Sequence, residues 1–312
     1  MNKKYDIVVA GELLIDFITK DYVEKLEDAK DYERFKGGSG ANLSCNMALL
    51  GGKSALVATV GRDDMGIYLK NIVDQMPIDT QFIGHSDLPT TLILVTRTLD
   101  ASDFQPYRGA DTDIQAKQLP DELLNNTRLF HTTCFSLSLN PAQEHILAAA
   151  KKAVSFGATL SIDVNYREKI WRNRAAAQEV IREYISQGAL VKCSEVDWEA
   201  IYETPLTDPK AAAQFFIEMG ASAVSITLGT EGCFALDKAG NEAFLPSRKI
   251  KVVDTTGAGD AFWSGFLTAW LDGKSMLNCS KAGRKMAETK IVIAGQLSEL
   301  IDKQLIFSDE TL

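Results

Sequence analysis

Residues 252–266, VVDTTGAGDAFWSGF, set one aspartate, Asp260, behind Gly257, Ala258 and Gly259 and ahead of an apolar run. If a helix opens near Ala258, the amides of 257–260 lack intrahelical partners and lie at the positive end of the helix dipole. Small residues leave those donors open, which makes a cradle suited to a phosphate. A carboxylate beside a bound anion opposes binding alone. It has a purpose if a hydroxyl must lose its proton as it attacks phosphorus. Asp260 is then the expected general base. The amides of Gly257, Ala258 and Gly259 are the expected donors to charge developing on the transferred group. Phosphoryl transfer relies mainly on positioning and electrostatics, so this small kit suffices. A capped helix with an aspartate in its first turn is the plainer reading of the same string.

Two other glycine-rich stretches fail their own patterns. GGKS at 51–54 resembles the tail of a P-loop, but the glycine required five residues before Gly52 is Met47. GSGANL at 38–43 begins like a dinucleotide fingerprint and ends on Leu43. The five cysteines are scattered, with no CxxC pair, and the three histidines have no ligand spacing, which argues against a disulfide framework or a zinc site. A cytoplasmic location is the expectation. The chain has 312 residues, 46% hydrophobic and 24% charged, with a formal net charge of −9. That surface disfavours nucleic acid and anionic membranes as partners. The opening MNKKYDIVVAGELLID is broken by Gly11 and Glu12, so it reads as a buried first strand rather than a signal peptide.

The elements that must position Asp260 alternate along the chain. Strands are expected at 5–11, 54–61, 128–134, 158–165, 189–194 and 223–229. Helices are expected at 41–50, 65–76, 141–156, 173–187, 195–203 and 208–219. Strands that are apolar throughout are covered on both faces, and strand–helix–strand succession predicts a doubly wound, mostly parallel α/β sheet. Two segments break the rhythm. Residues 19–36 are highly charged, and 90–107 read as two strands turning at Leu99–Ser102. Together they predict a small β-flap, with a solvated loop as the alternative for 19–36. Residues 232–246 predict a hairpin turning at Lys238–Asn241.

DTTGAGDAFWSGF resembles the C-terminal signature of the ribokinase-like (PfkB) carbohydrate kinases, and RFKGGSGANLSCNMALLGG (34–52) resembles their N-terminal signature. GELLIDF (11–17), DVNYREKIW (163–171) and ITLGTEGCF (226–234) continue the likeness in order over nearly the whole chain. The resemblance implies one kinase domain over 1–312, with a lid from about 17–36 and 88–112. It assigns Asp260 as base and Gly257, Ala258 and Gly259 as anion hole. It implies that Asp16, Gly38, Asn42 and Asn165 hold sugar hydroxyls; turn residues and caps are the alternative for each.

Arg167, just past a strand end, is placed to neutralise phosphate or grip a carboxylate, and Arg108 in PYRGADTD to do the same from the flap. A surface ion pair is the alternative for both. These segments are similar to the fructokinase and 2-keto-3-deoxygluconate kinase branches. On the nucleotide side the resemblance points to Thr227, Gly229, Gly232 and Ser194. Asp197 stands where the family's N-x-x-E motif helps to arrange magnesium, with Glu195 as a further contributor. Asp254 and Thr256 match positions that hold a monovalent cation such as potassium in some members. The implied activity is an ATP- and magnesium-dependent sugar kinase making fructose 6-phosphate from fructose. The alternatives are a 2-keto-3-deoxygluconate kinase and a non-catalytic sugar or nucleotide sensor. A homodimer joined through the flap is expected, because projecting strands have edges to cover.

Overall fold

The computed structural model describes residues 3–97 and 103–308. In chain order the first half contains β1 (Tyr5–Ala10), β2 (Leu14–Tyr22), β3 (Tyr32–Gly37), α1 (Ser39–Leu49), β4 (Ser54–Gly61), α2 (Asp64–Val73), β5 (Ile83–Ser86), β6 (Leu92–Arg97) and β7 (Phe104–Tyr107). Then follow α3 (Asp121–Asn125), β8 (Thr127–Thr133), α4 (Ala142–Ser155), β9 (Thr159–Asp163), α5 (Arg174–Ile185), β10 (Leu190–Ser194), α6 (Glu195–Tyr202), α7 (Pro209–Met219) and β11 (Ala223–Thr227). The chain closes with β12 (Cys233–Asp237), β13 (Glu242–Leu245), α8 (Ala258–Leu271), α9 (Met276–Ile291) and α10 (Lys303–Phe307).

All six expected strands enter one nine-stranded sheet ordered β13-β12-β11-β10-β9-β8-β1-β4-β5. Its strands from β5 to β11 run parallel, and the β12–β13 hairpin adds an antiparallel edge. β4 is buried at every position, as a strand covered on both faces must be. The six expected helices form, and their starts follow from local chemistry. Asp63 caps α2, Asn173 caps α5, and Asp208 with Pro209 behind it opens α7. One apolar layer, with Phe130, Tyr184 and Phe216, fills one face of the sheet. The other layer, with Met47, Trp263 and Phe266, packs α1, α8 and α9 on the opposite face. That is why the run after Asp260 is apolar nearly all round: α8 is interior.

The two irregular segments build a separate four-stranded sheet ordered β3-β2-β6-β7. β2 pairs antiparallel with β3 and parallel with β6, in the register Ile15↔Leu92. The charged stretch is therefore strand at both ends, in β2 and β3, joined by a connection over 23–31 that contains a 3₁₀ turn at Leu26–Asp28. Buried Thr19 ties it down by accepting the Arg97 amide at 2.8 Å through its hydroxyl. The expected turn at Leu99–Ser102 lies outside the described residues. Strand β5 was not expected. Its sequence IGHS carries no apolar run, and it pairs only at the sheet edge. Among the described residues no helix is long and apolar enough to cross a membrane.

Candidate active site

A cavity of about 1050 Å³ opens where the C-terminal ends of β9, β10 and β11 meet the first turn of α8. Ligands sit at such ends in doubly wound sheets. The expected site residues line it, with two exceptions, Arg108 and Asp254.

Asp260 sits in the first turn of α8 and is 9% exposed. Its Oδ1 accepts from Ser39 Oγ at 2.6 Å and its Oδ2 from Asn42 Nδ2 at 2.9 Å. Burial pushes its carboxyl up, while these two hydrogen bonds and the Lys192 ammonium pull it down; burial prevails.

Three side chains that the sequence reading did not single out fix this arrangement. Lys36, at the end of β3 and buried, donates to Asn42 Oδ1 at 2.7 Å, which turns the Asn42 amide hydrogens toward Asp260. Glu12, just past β1, caps α1 by accepting the amides of Ser39 at 2.8 Å and Gly40 at 3.3 Å. Its other oxygen accepts from Thr133 and Ser136 at 2.7 and 2.6 Å. Lys192, on β10, clamps Asp163 at 2.9 and 2.8 Å, with both partners buried. Burial works against the Lys192 charge, but Asp163, Asp197 and Asp260 around it raise its affinity for the proton. The available signals were a glutamate inside an apolar run, a lysine inside a buried strand and a lysine abutting Gly37-Gly38.

The cradle differs in one respect from expectation. Gly257 adopts φ 74°, which favours glycine, and turns the chain into α8. The amides of Gly257, Gly259 and Asp260 have no acceptor among the described residues. Ala258 does not share this freedom: its amide donates to Thr255 O at 3.1 Å and serves the turn. At Gly259 the limit is steric, since a β-carbon there would lie 3.2 Å from Lys192 Nζ.

On the sugar side, Asp16 has no hydrogen-bond or ion-pair partner among the described residues. Burial lifts its carboxyl to about 7 despite Lys36, with Asp260 and Glu12 adding to the rise. Asn165 follows β9 at φ 29°, a conformation asparagine tolerates better than most residues. Gly38 must be glycine for a reason other than a ring lying on it. It has φ 102°, and a β-carbon would run into Glu12 O. Arg167 is committed to Asp197 at 2.6 Å and to Tyr166 O at 2.7 Å. Arg108 lies away from the cavity, stacked on Phe135 and paired with Asp111, and it donates to Ser138 Oγ at 2.9 Å. Its expected role as an anion grip is corrected accordingly: a buried carboxylate already neutralises it.

On the nucleotide side, Ser194 and Asp197 form a reciprocal capping box at the start of α6. Arg167 donates to Oδ1 of Asp197 and Ser194 to Oδ2, so each oxygen of that carboxylate already accepts a hydrogen bond. Burial disfavours its charge, but Arg167, Lys192 and the Ser194 bonds outweigh that and hold the carboxyl low. Glu195 beside it lines the cavity with no partner among the described residues. Burial and the neighbouring Glu231 and Glu199 push its carboxyl up, a field that a bound cation would relieve. Thr227 ends β11, and Gly229 opens the turn beyond it at φ 53°. Gly232 is required by packing, because a β-carbon there would strike Leu245 O. Thr256 donates its amide to Asp254 Oδ1 at 2.9 Å.

The family model for "pfkB family carbohydrate kinase" matches residues 4–296. An ATP-dependent 6-phosphofructokinase of Thermoanaerobacterium thermosaccharolyticum is 31% identical over 310 residues, 98% of this chain and 94% of that protein. The fructokinase structure of Halothermothrix orenii is 31% identical with a TM-score of 0.78, covering 94% of this chain and 100% of its own. A sugar kinase of Pyrococcus horikoshii, solved with ATP, is 25% identical with a TM-score of 0.80, and 93% of each chain is covered. A buried carboxylate facing open amides at a helix start is the equipment such transfer needs. The chain belongs to the pfkB family of carbohydrate kinases and is a phosphotransferase that uses ATP and acts on a sugar.

Proposed function

We propose that the acceptor is fructose and the product fructose 6-phosphate. The observation that carries this reading is Asp260, buried and held by Ser39 and Asn42, beside the open amides of Gly257 and Gly259. The primary hydroxyl of the sugar gives its proton to Asp260 as its oxygen forms a bond to the γ-phosphorus. The bond from that phosphorus to the β–γ bridging oxygen breaks, and ADP leaves with the electron pair. The amides of Gly257 and Gly259 stabilise the charge on the transferring group. Asp16, Asn42 and Asn165 fix the hydroxyls on the sugar side. Ser194, Thr227 and the Gly229 turn border the ATP. Magnesium, when bound with ATP, would screen phosphate charge, and Glu195 is a carboxylate in the cavity that could hold its waters.

The four-stranded sheet acts in this reading as a lid that excludes water from the transfer. A second copy paired through its edge strands β3 and β7 would cover their exposed backbone, which size-exclusion chromatography with light scattering tests. The second reading is a phosphorylated or acidic acceptor, fructose 6-phosphate or 2-keto-3-deoxygluconate. It is favoured by the 31% identical 6-phosphofructokinase. It is disfavoured by the Asp16 carboxylate on the sugar side, unpaired among the described residues, and by the pairing of Arg167 with Asp197. Turnover of all three acceptors with magnesium and ATP decides. Fructose should give the highest kcat/KM, and transfer confined to either anion would replace this reading.

A further inference from the structure

The cation site implied by Asp254 and Thr256 does not fit potassium, because a side chain of this chain already occupies it. Lys290, in the last turn of α9, is 3% exposed. Its ammonium lies 3.4 Å from Asp254 Oδ2 and 3.4 Å from the Asp254 main-chain oxygen. The remaining acceptor capacity of that carboxylate meets the amides of Thr256 at 2.9 Å and Gly295 at 3.1 Å. The amides of Val253 and Asp254 donate to Ile291 O at 2.8 and 3.2 Å, which anchors this loop to the end of α9. A potassium ion would have to displace the Lys290 ammonium from the same oxygens and would meet its charge at contact distance. The ammonium also lies near the cradle, with Lys290 Cε 3.9 Å from where a β-carbon on Gly257 would stand.

We infer that Lys290 supplies from within the chain the single positive charge that holds the Asp254–Gly257 turn, so that phosphoryl transfer needs no monovalent cation. Lys290 is a positioning residue: it acts on the reacting group through Asp254 and the turn. The inference rests on the proposed role of the Gly257–Asp260 cradle, and the two can fail separately.

The test compares turnover in potassium chloride, ammonium chloride and tetramethylammonium chloride at equal ionic strength. For the unaltered enzyme the three rates should agree within about two-fold, a negligible change in barrier. Activation by potassium of about ten-fold or more overturns the inference. No turnover in any salt, with any acceptor, counts instead against the cradle. Lys290→Ala makes room for an ion. It should lose about ten-fold or more in kcat in tetramethylammonium, with potassium or ammonium restoring part of the loss. Potassium should also raise the melting temperature of Lys290→Ala and leave that of the unaltered chain unmoved, as binding to the folded state alone requires. A folded Lys290→Ala that keeps full turnover in every salt, or that no cation restores or stabilises, overturns the inference. If that variant does not fold, the salt series on the unaltered enzyme decides alone.

Discussion

Asn42 donates its amide to Asp260 Oδ2 at 2.9 Å although 218 residues separate them in the chain. The pair joins the two glycine-rich signatures, one at the start of α1 and one at the start of α8, which pack against each other in the core. An amide can present either end. Here Lys36 holds its oxygen at 2.7 Å, so the hydrogens face the carboxylate. Gln296 in turn donates to Lys36 O, linking β3 to the segment after α9. β3, α1, α8 and the segment after α9 thus share one hydrogen-bonded frame, with Asp260 at its centre.

Asp260→Asn should leave that frame intact. The new amide can accept from Asn42, while the Ser39 hydroxyl rotates to accept instead of donate. What is lost is proton uptake, so kcat should fall about 10²–10⁴-fold. Fructose affinity, measured calorimetrically, should stay within a few-fold. Turnover near that of the unaltered enzyme would remove Asp260 from the chemistry.

Lys36→Met removes the charge that orients Asn42 and lets its oxygen turn toward Asp260. Losing a hydrogen bond to a charged group of this kind should lower kcat about ten-fold. It should also move the acid limb of the pH–rate profile upward, because Asp260 loses a donor that favours its ionised form. Lys36→Arg should recover part of both. A profile that keeps its acid limb while stability alone drops would make Lys36 merely structural.

Asp16 provides a pH test of the pocket. Its folded-state carboxyl stands at about 7, above its ordinary value of 3.8. The folded chain therefore holds that proton more tightly than the unfolded chain does. The stabilisation is full below the unfolded value and is lost as pH rises through about 7. Asp16→Asn has no such loss. Its melting temperature relative to the unaltered chain should be higher at pH 8 than at pH 5, and a difference independent of pH would contradict the shifted carboxyl.

Much of this was legible before any coordinates. The buried strands announce themselves as apolar runs, and several helices carry their own caps, Asp63, Asn173, Ser194 and Asp208 among them. Asp260 and its glycines stood out because bare backbone beside a carboxylate at a helix start is a rare combination at tight spacing, and the fold does bring them to the cavity. Arg108 was misread, and the pairing of Arg167 with Asp197 went unseen, because a charge at a strand end looks the same whether it awaits a ligand or already has a partner. Asp111, the partner of Arg108, stands only three residues on, whereas only the fold brings Asp197 to Arg167. Glu12, Lys36 and Lys192 escaped notice for the converse reason. Glu12 meets partners 27 or more residues away and Lys192 meets Asp163 at a separation of 29, and although Asn42 is only six residues from Lys36, no local pattern distinguishes these three from ordinary surface charges.

Lys192 invites the sharpest separation of structure from chemistry. Lys192→Met leaves Asp163 buried without its partner, and breaking such a pair costs about 3–5 kcal/mol. Loss of activity in that variant alone would therefore prove nothing about mechanism. Replacing both partners, Lys192→Met with Asp163→Leu, should recover most of the stability, because a buried ion pair exchanged for apolar groups of similar size is often neutral. Turnover should not recover with it. The ammonium lies under Gly259 and steadies the ionised form of Asp260, and no apolar pair reproduces that field. A double variant that regained both its melting temperature and its kcat would reduce Lys192 to a packing element, and the positive floor of the cradle would then have no part in the transfer.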